Sequence, residues 1–433
     1  MRVVGATLTA GTAAVLVATV AAAASGSVAN GRVPRGQLVV GYRSSWDLAG
    51  ALRAAGGVVV RRLPALHVAE VSAPEPARAA TLLRGAPGIR FVERPAARSS
   101  LVEPAVSLAA SDPGEGWEWQ YHATQADAVP EVVLRAAARV RIAVIDTGAD
   151  VAAPDLAAKK PRRHNARTGT ADVRDLSGHG TFVASLAAGS VTNGEGIAGA
   201  GGDTQLLVVK AGSSKGAFTD VDEAAGITYA VNHGAKILNL SFGGPHTSAT
   251  ERRAIRYAVR HGALVVAAAG NDYAQGNPVE YPAALLQPVG SNGAGGAGLA
   301  VAASTETGER APFSSTGSWL SLAAPGANVF GDVSALSSPL LYPRSPLPGS
   351  RAGLYGYGSG TSFAAPQVAG AAALVWAADP SLTARQVAQI LEETASGGGV
   401  WSPELGFGVI DVAAAVARAQ ESRRRGDGSL TLD

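Results

Sequence analysis

Short apolar runs recur along the chain, separated by stretches whose apolar residues fall at helical spacing. Between residues 37 and 95 the runs QLVVGY, GVVVRRL, LHVAEV and IRFVER alternate with the Ala/Leu/Arg-rich patches DLAGALRAAG and EPARAATLLRGAPG. This β-α-β-β-α-β order predicts a small α+β domain of ferredoxin-like type. From Ala96 to Glu118 the periodicity lapses and Pro, Ser, Gly and Asp collect, which predicts a linker over 96–116. From about Arg139 the runs RVRIAVID, TQLLVVKAG, AKILNLSFGG, ALVVAAAGN and GLAVAAS are almost continuously apolar, with helical stretches such as VDEAAGITYAVNHG and ATERRAIRYAVRHG between them. Strands buried on both faces read this way. Residues 117–420 are therefore predicted to form an α/β domain, a doubly wound, mostly parallel sheet with helices on both faces. SLTARQVAQILEETA and DVAAAVARAQ add two amphipathic helices before a polar tail, 421–433.

Composition supports that division. A chain of 433 residues, 47% hydrophobic and 16% charged, can fill one large core and a smaller one. A net charge of +2 gives no electrostatic reason to expect nucleic acid as a partner. Cysteine is absent, which removes disulfides and thiolate chemistry. Residues 1–24 carry Arg2 as their sole charge, then an apolar run ending in small residues at Ala22 to Ala24, the pattern of a cleaved secretory signal. The same run, from Val3 to Ala24, is long enough to serve as an uncleaved anchor, so a secreted and a membrane-tethered protein both follow from it. The Arg-Gly-Asp triplet in the tail is too short and too common a motif to mean adhesion. GAGGAG at 293–298 has dinucleotide-binding spacing but precedes a strand instead of following one, and reads as a loop. The seven histidines show no paired zinc-ligand spacing.

In an open parallel sheet, chemistry collects beyond the carboxyl ends of the strands. Asp146 ends RIAVIDTG there, His179 lies between glycines in DLSGHGTFVASLAAG, Asn271 ends ALVVAAAGN, and Ser362 opens the apolar helix of GYGSGTSFAAPQVAGAAALVWAA. Each alone has a plainer reading as a helix cap, an interior histidine or a turn residue. Together they supply a nucleophile, a base, an orienting acid and an oxyanion donor, the parts for acyl transfer. A serine at a helix N-terminus also gains from unpaired backbone N–H groups and the positive end of the dipole.

At these motifs the chain resembles the subtilisin family of serine proteases: AVIDTGAD, GHGTFVAS and GTSFAAPQVAG look like its three signatures in the order Asp, His, Ser, and VVAAAGN like its oxyanion segment. The resemblance covers roughly Trp117 to Ala419, and the domain at 37–95 resembles the family's inhibitory propeptide. It implies Asp146 as orienting carboxylate, His179 as base and then acid, Ser362 as nucleophile and Asn271 as oxyanion donor. It further implies polypeptide substrates, the chain's own propeptide as an intramolecular inhibitor, and cleavage between Arg94 and Trp117. A monomer is the expectation. Ser241, Phe242, Gly243 and Gly244 with Ala268, Ala269 and Gly270 would line the pocket for the side chain before the scissile bond, and Glu280, if it points inward, would favour basic side chains there. Asp155 and Asn193 match positions of a structural Ca²⁺ site, although Glu195 and one extra residue disturb that loop. The chemistry itself needs no cofactor.

The sequence departs from the family at Phe363, where Met is usual, at Gln367, and at Phe182 and Ser185. None of these removes a reacting group, and Phe363 leaves no oxidisable thioether beside the serine. Residues 328–358 form a longer segment ahead of the serine motif than the family usually has. A catalytically idle peptide-binding scaffold would require a damaged triad, and none is damaged. An α/β-hydrolase esterase would place Ser before Asp and His, and here the order is the reverse.

Overall fold

The structure, a computed structural model, describes residues 36–101, 117–191, 193–338 and 354–425. The predicted leader, most of the predicted linker, the Arg-Gly-Asp motif as a whole and residues 339–353 of the long segment lie outside them.

The small domain has strands β1 (Gln37–Tyr42), β2 (Val58–Leu63), β3 (Val68–Ser72) and β4 (Ile89–Glu93) in an antiparallel sheet of order β2-β3-β1-β4, with helices Ser45–Ala55 and Pro76–Gly85 on one face. The first helix starts at a capping box, in which the Ser44 hydroxyl accepts the Asp47 N–H and the Asp47 carboxylate accepts the Ser44 N–H. Strand β1 is buried on both sides. Leu38 and Val40 meet Leu48, Leu52 and Leu83 under the helices, while Val39 turns the other way into the core of the large domain with Leu63, Leu66 and Val68. A sheet with helices on one face alone needs a cover for the other, and here the large domain provides it.

The linker is not featureless. Residues Ala97–Ser100 form β5, lying antiparallel between β9 (Ala217–Thr219) and β11 (Phe242–Gly243). Its residues, ARSS, show no apolar run, which is why the sequence pattern concealed it.

The large domain has seven parallel strands in the order β14-β13-β12-β10-β6-β8-β7: β6 (Arg141–Asp146), β7 (Arg162–Asn165), β8 (Gln205–Lys210), β10 (Ile237–Leu240), β12 (Leu264–Ala268), β13 (Leu299–Ser304) and β14 (Leu322–Pro325). Every residue of β10, β12 and β13 is buried. Strands β7 and β14 escaped the sequence reading because one is the polar edge RRHN and the other the small-residue run LAAP. A hairpin of β15 (Val329–Asp332) and β16 (Tyr355–Gly358) brings the chain to helix Thr361–Ala378, whose 18 residues are all buried and which forms the axis of the core. The helix Val412–Arg425 runs five residues into the predicted tail. Among the described residues no helix is long and apolar enough to cross a membrane.

Candidate active site

The four predicted side chains all lie at the carboxyl edge of the parallel sheet. Asp146 is the last residue of β6, His179 opens the helix His179–Ala188, Asn271 follows β12, and Ser362 is in the first turn of its helix. His179 Nδ1 is 2.7 Å from Asp146 Oδ1, and both residues are buried. A carboxylate can only accept, so Nδ1 carries the proton and Nε2 has the free lone pair. Nε2 has no hydrogen-bond partner among the described residues.

The pair is held by residues that the sequence reading missed. Asp175 accepts N–H bonds from Ser177, Gly178 and Thr181 and hydroxyl bonds from Thr147 and Thr181, anchoring the start of the His179 helix. Thr147, next to Asp146, in turn accepts the Gly180 N–H at 2.9 Å. A Cβ on Gly180 would lie 2.2 Å from the Gly148 carbonyl oxygen, so glycine is what lets this helix abut the end of β6. An Asp shortly before the Gly-His pair that opens a helix is a capping signal, and it could have exposed Asp175.

Asn271 is 5% exposed. Its Oδ1 accepts from the Thr361 N–H (3.0 Å) and hydroxyl (2.8 Å), which assigns the amide's orientation and leaves Nδ2 without a partner. Two buried N–H donors thus remain uncommitted beside the helix that carries Ser362. The Ser362 hydroxyl donates to the Ser241 carbonyl (2.7 Å) and accepts the Leu101 N–H (3.1 Å), while Ser241 Oγ donates to the Ser362 carbonyl (2.8 Å). Serine and imidazole do not share a hydrogen bond in this state. Phe363, directly after the serine, has its ring centroid 5.7 Å from that of His179.

The departures from the family pattern each have a place. Phe182 and Phe363 pack together at 4.4 Å, Gln367 donates to the carbonyls of Pro325 and Phe363, and Ser185 Oγ accepts the Asp332 N–H.

Strand β5 occupies the cleft. Ser100 pairs with Phe242 and Ser99 with Gly243 on one side, and Arg98 with Phe218 on the other, which delivers Leu101 to Ser362. A Cβ placed on Gly243 would lie 3.2 Å from Leu101 Cδ1 and 3.1 Å from Glu280 Oε2, so Leu101 and Glu280 meet in one pocket. Gly270, at φ +116°, has no room for a Cβ, which would lie 2.5 Å from Glu280 Cγ. Glu280 is 1% exposed and points inward, not out into solvent. Burial, with Asp272 adding to it, pushes its carboxyl up to about 8. The other predicted lining residues divide. Ser241 and Gly243 border Leu101, Phe242 stacks on Phe218 at 4.4 Å, and Ala268 and Ala269 pack into the core. Gly244 lies under Ala97 and Arg98.

Asp155 and Asn193 are brought together, but Asn193 Nδ2 donates to Asp155 Oδ1 at 2.7 Å instead of offering an oxygen. Asp155 also accepts the Ile197 N–H and the Tyr355 hydroxyl. Beside it lies the buried Asp332, and burial and repulsion from Asp155 hold its carboxyl well above the usual range. Among the described residues no three or more acidic, His or Cys side chains are arranged to hold a metal. The donors have the hard-oxygen chemistry that Ca²⁺ takes, and their arrangement is closed on itself.

A buried acid-imidazole pair, a serine heading a core helix and an unpartnered amide at one sheet edge define the class: the chain belongs to the subtilase family, whose model matches residues 137–408. Residues 19–94 match the fervidolysin N-terminal prodomain. The crystal structure of fervidolysin from Fervidobacterium pennivorans, described as a keratinolytic enzyme related to subtilisin, superposes with a TM-score of 0.74 at 27% identity, over 88% of this chain and 61% of that one. A thermophilic serine proteinase of Bacillus sp. (strain AK1) is 34% identical over 263 residues, which are 61% of this chain and 58% of that protein. Subtilisin E of Bacillus subtilis (strain 168) is 33% identical over 323 residues, 70% of this chain and 75% of that protein. The chain thus spans about three fifths of the first two relatives.

Proposed function

We propose that this chain is a secreted serine endopeptidase made as a precursor that processes itself, and that the bond it cuts in itself is Leu101–Val102. The observation that carries the reading is the Leu101 N–H on Ser362 Oγ, with residues 97–100 paired as a strand in the cleft. That is the pose of a substrate in a site that binds main chain through β-pairing.

The geometry supports the following roles. The Ser362 hydroxyl turns from the Ser241 carbonyl to His179 Nε2, gives up its proton there, and its oxygen attacks the carbonyl carbon of Leu101. Asp146, on Nδ1, holds the tautomer and stabilises the imidazolium. The Asn271 Nδ2 donors and the Ser362 backbone N–H receive the oxyanion. As the C–N bond breaks, the imidazolium protonates the departing amine of Val102. Water, deprotonated by the same imidazole, then hydrolyses the acyl-serine.

The released propeptide remains an inhibitor in this reading. Its support is the interface: Glu93 accepts the N–H groups of Ala249 and Thr250 and the Thr250 hydroxyl at the start of helix Ala249–Arg260, and Arg61 pairs with Asp222 at 2.9 Å. Residues 1–24 serve as the export signal. A structural Ca²⁺ near Asp155 and Asp332 belongs to the reading as well, supported by the hard-oxygen chemistry of the two carboxylates, and it would require Asn193 Nδ2 to give up Asp155. Glu280 beneath Leu101 would extend acceptance in that pocket to basic side chains.

Intact mass tests the reading. Wild type should lose everything through Leu101 and expose Val102 as its new N-terminus, while Ser362→Ala should retain that segment. An uncut wild type, or equal cutting in both, overturns it.

A further inference from the structure

The cleft holds a second side chain from the same strand, three residues before Leu101. Arg98 is 3% exposed and reaches between helices Asp220–Asn232 and Ala249–Arg260. Its Nε donates to Glu251 Oε1 at 3.1 Å, its Nη2 lies 2.9 Å from the same oxygen, and Nε is 3.8 Å from Glu223 Oε2. Nη1 donates to the Ala97 carbonyl. Both glutamates are wholly buried. Among the described residues neither has another ion-pair partner. Asp220, also buried, accepts the Ala96 N–H at 2.9 Å. The arginine stem passes over Gly244, within ordinary contact distance.

We propose that Glu223 and Glu251 form a specificity pocket that selects arginine three residues before the residue whose carbonyl is attacked. The inference rests on the peptidase reading and deepens it. Two carboxylates taken out of water need a cation, and a domain built for stability alone would supply one from its own core. Here the cation arrives on the strand that is cut away. Once that strand leaves, the pocket offers two acidic groups to whatever extended peptide comes next. Because Glu251 Oε1 accepts Nε while Nη2 lies 2.9 Å from the same oxygen, the extended charge of a guanidinium suits this pocket better than the compact ammonium of lysine. Burial and Glu251 raise the Glu223 carboxyl well above its usual range.

Two measurements test it. The self-processed wild-type enzyme is given fluorogenic peptides X-Ser-Ser-Leu with X as Arg, Lys, citrulline or Ala. Arg should exceed Ala in kcat/KM by on the order of 100-fold, with Lys between them and citrulline near Ala. In the full chain, Arg98→Ala should slow the appearance of the cleaved product and Arg98→Lys should restore part of the rate. Glu251→Gln should bring the Arg-to-Ala ratio toward one. Peptides cleaved at equal kcat/KM whatever X is would overturn the pocket and leave the peptidase reading standing. A wild type that cuts neither itself nor any peptide overturns the peptidase reading and the pocket together.

Discussion

Asn271 shows how much one residue's chemistry depends on its neighbours. Its oxygen is committed to Thr361, so the amide cannot flip, and in the proposed reaction its N–H groups would meet a charge that exists only in the transition state. Asn271→Ala should lower kcat by about 10²- to 10³-fold with little change in KM, measured with the peptide Arg-Ser-Ser-Leu cut after its leucine. A drop confined to KM would mean that the amide binds the ground state instead. The residue types and places of Asp146, His179, Asn271 and Ser362 were legible, because each stands directly beyond an apolar run or opens one. Asp175, Thr147 and Thr361 were not, since their value lies in hydrogen bonds to residues distant along the chain or hidden in a turn.

Elements were legible where burial imposed a pattern. Helix Ala384–Glu393 announced itself through Val387, Ile390 and Leu391 and a Thr383/Gln386 capping box. It also carries Glu392, whose carboxyl burial pushes up to about 8 although its oxygen accepts from Gln287 Nε2 at 3.3 Å. Unfolded, that group loses its proton near 4.5; folded, it keeps it to about 8. Between those values folding takes up a proton, so this group's contribution falls as pH rises and is fully destabilising above 8. Glu392→Gln should therefore raise Tm by a few degrees at pH 9 and have little effect at pH 4, read by thermal melts across pH. A uniform shift at both pH values would assign the effect to packing. Strands β5, β7 and β14 lacked any such burial signature, and β5 was taken for linker because pairing in a cleft requires only a main chain.

At the scale of the whole molecule, two domains share one interface, and the strand between them fills the site. The small domain is incomplete alone, with Val39, Leu63, Leu66 and Val68 on a face that the large domain covers. The carboxylates Asp155 and Asp332, drawn together from distant segments, are a second feature of this scale. If they hold Ca²⁺, a chelator should lower the Tm of the full chain and added Ca²⁺ should restore it. A Tm unmoved by both would remove the ion from the reading.

The sequence by itself determined the division into a small α+β and a large α/β domain, the parallel sheet, and which four side chains stand at its working edge, because burial and strand ends leave periodic and local marks. Only the tertiary structure decided that the supposed linker lies in the cleft, that Leu101 is the residue delivered to Ser362, and that Arg98 enters a pocket made by Glu223 and Glu251. Those facts depend on contacts between segments more than a hundred residues apart, where each residue's partner is set by packing and leaves no trace in its own surroundings along the chain.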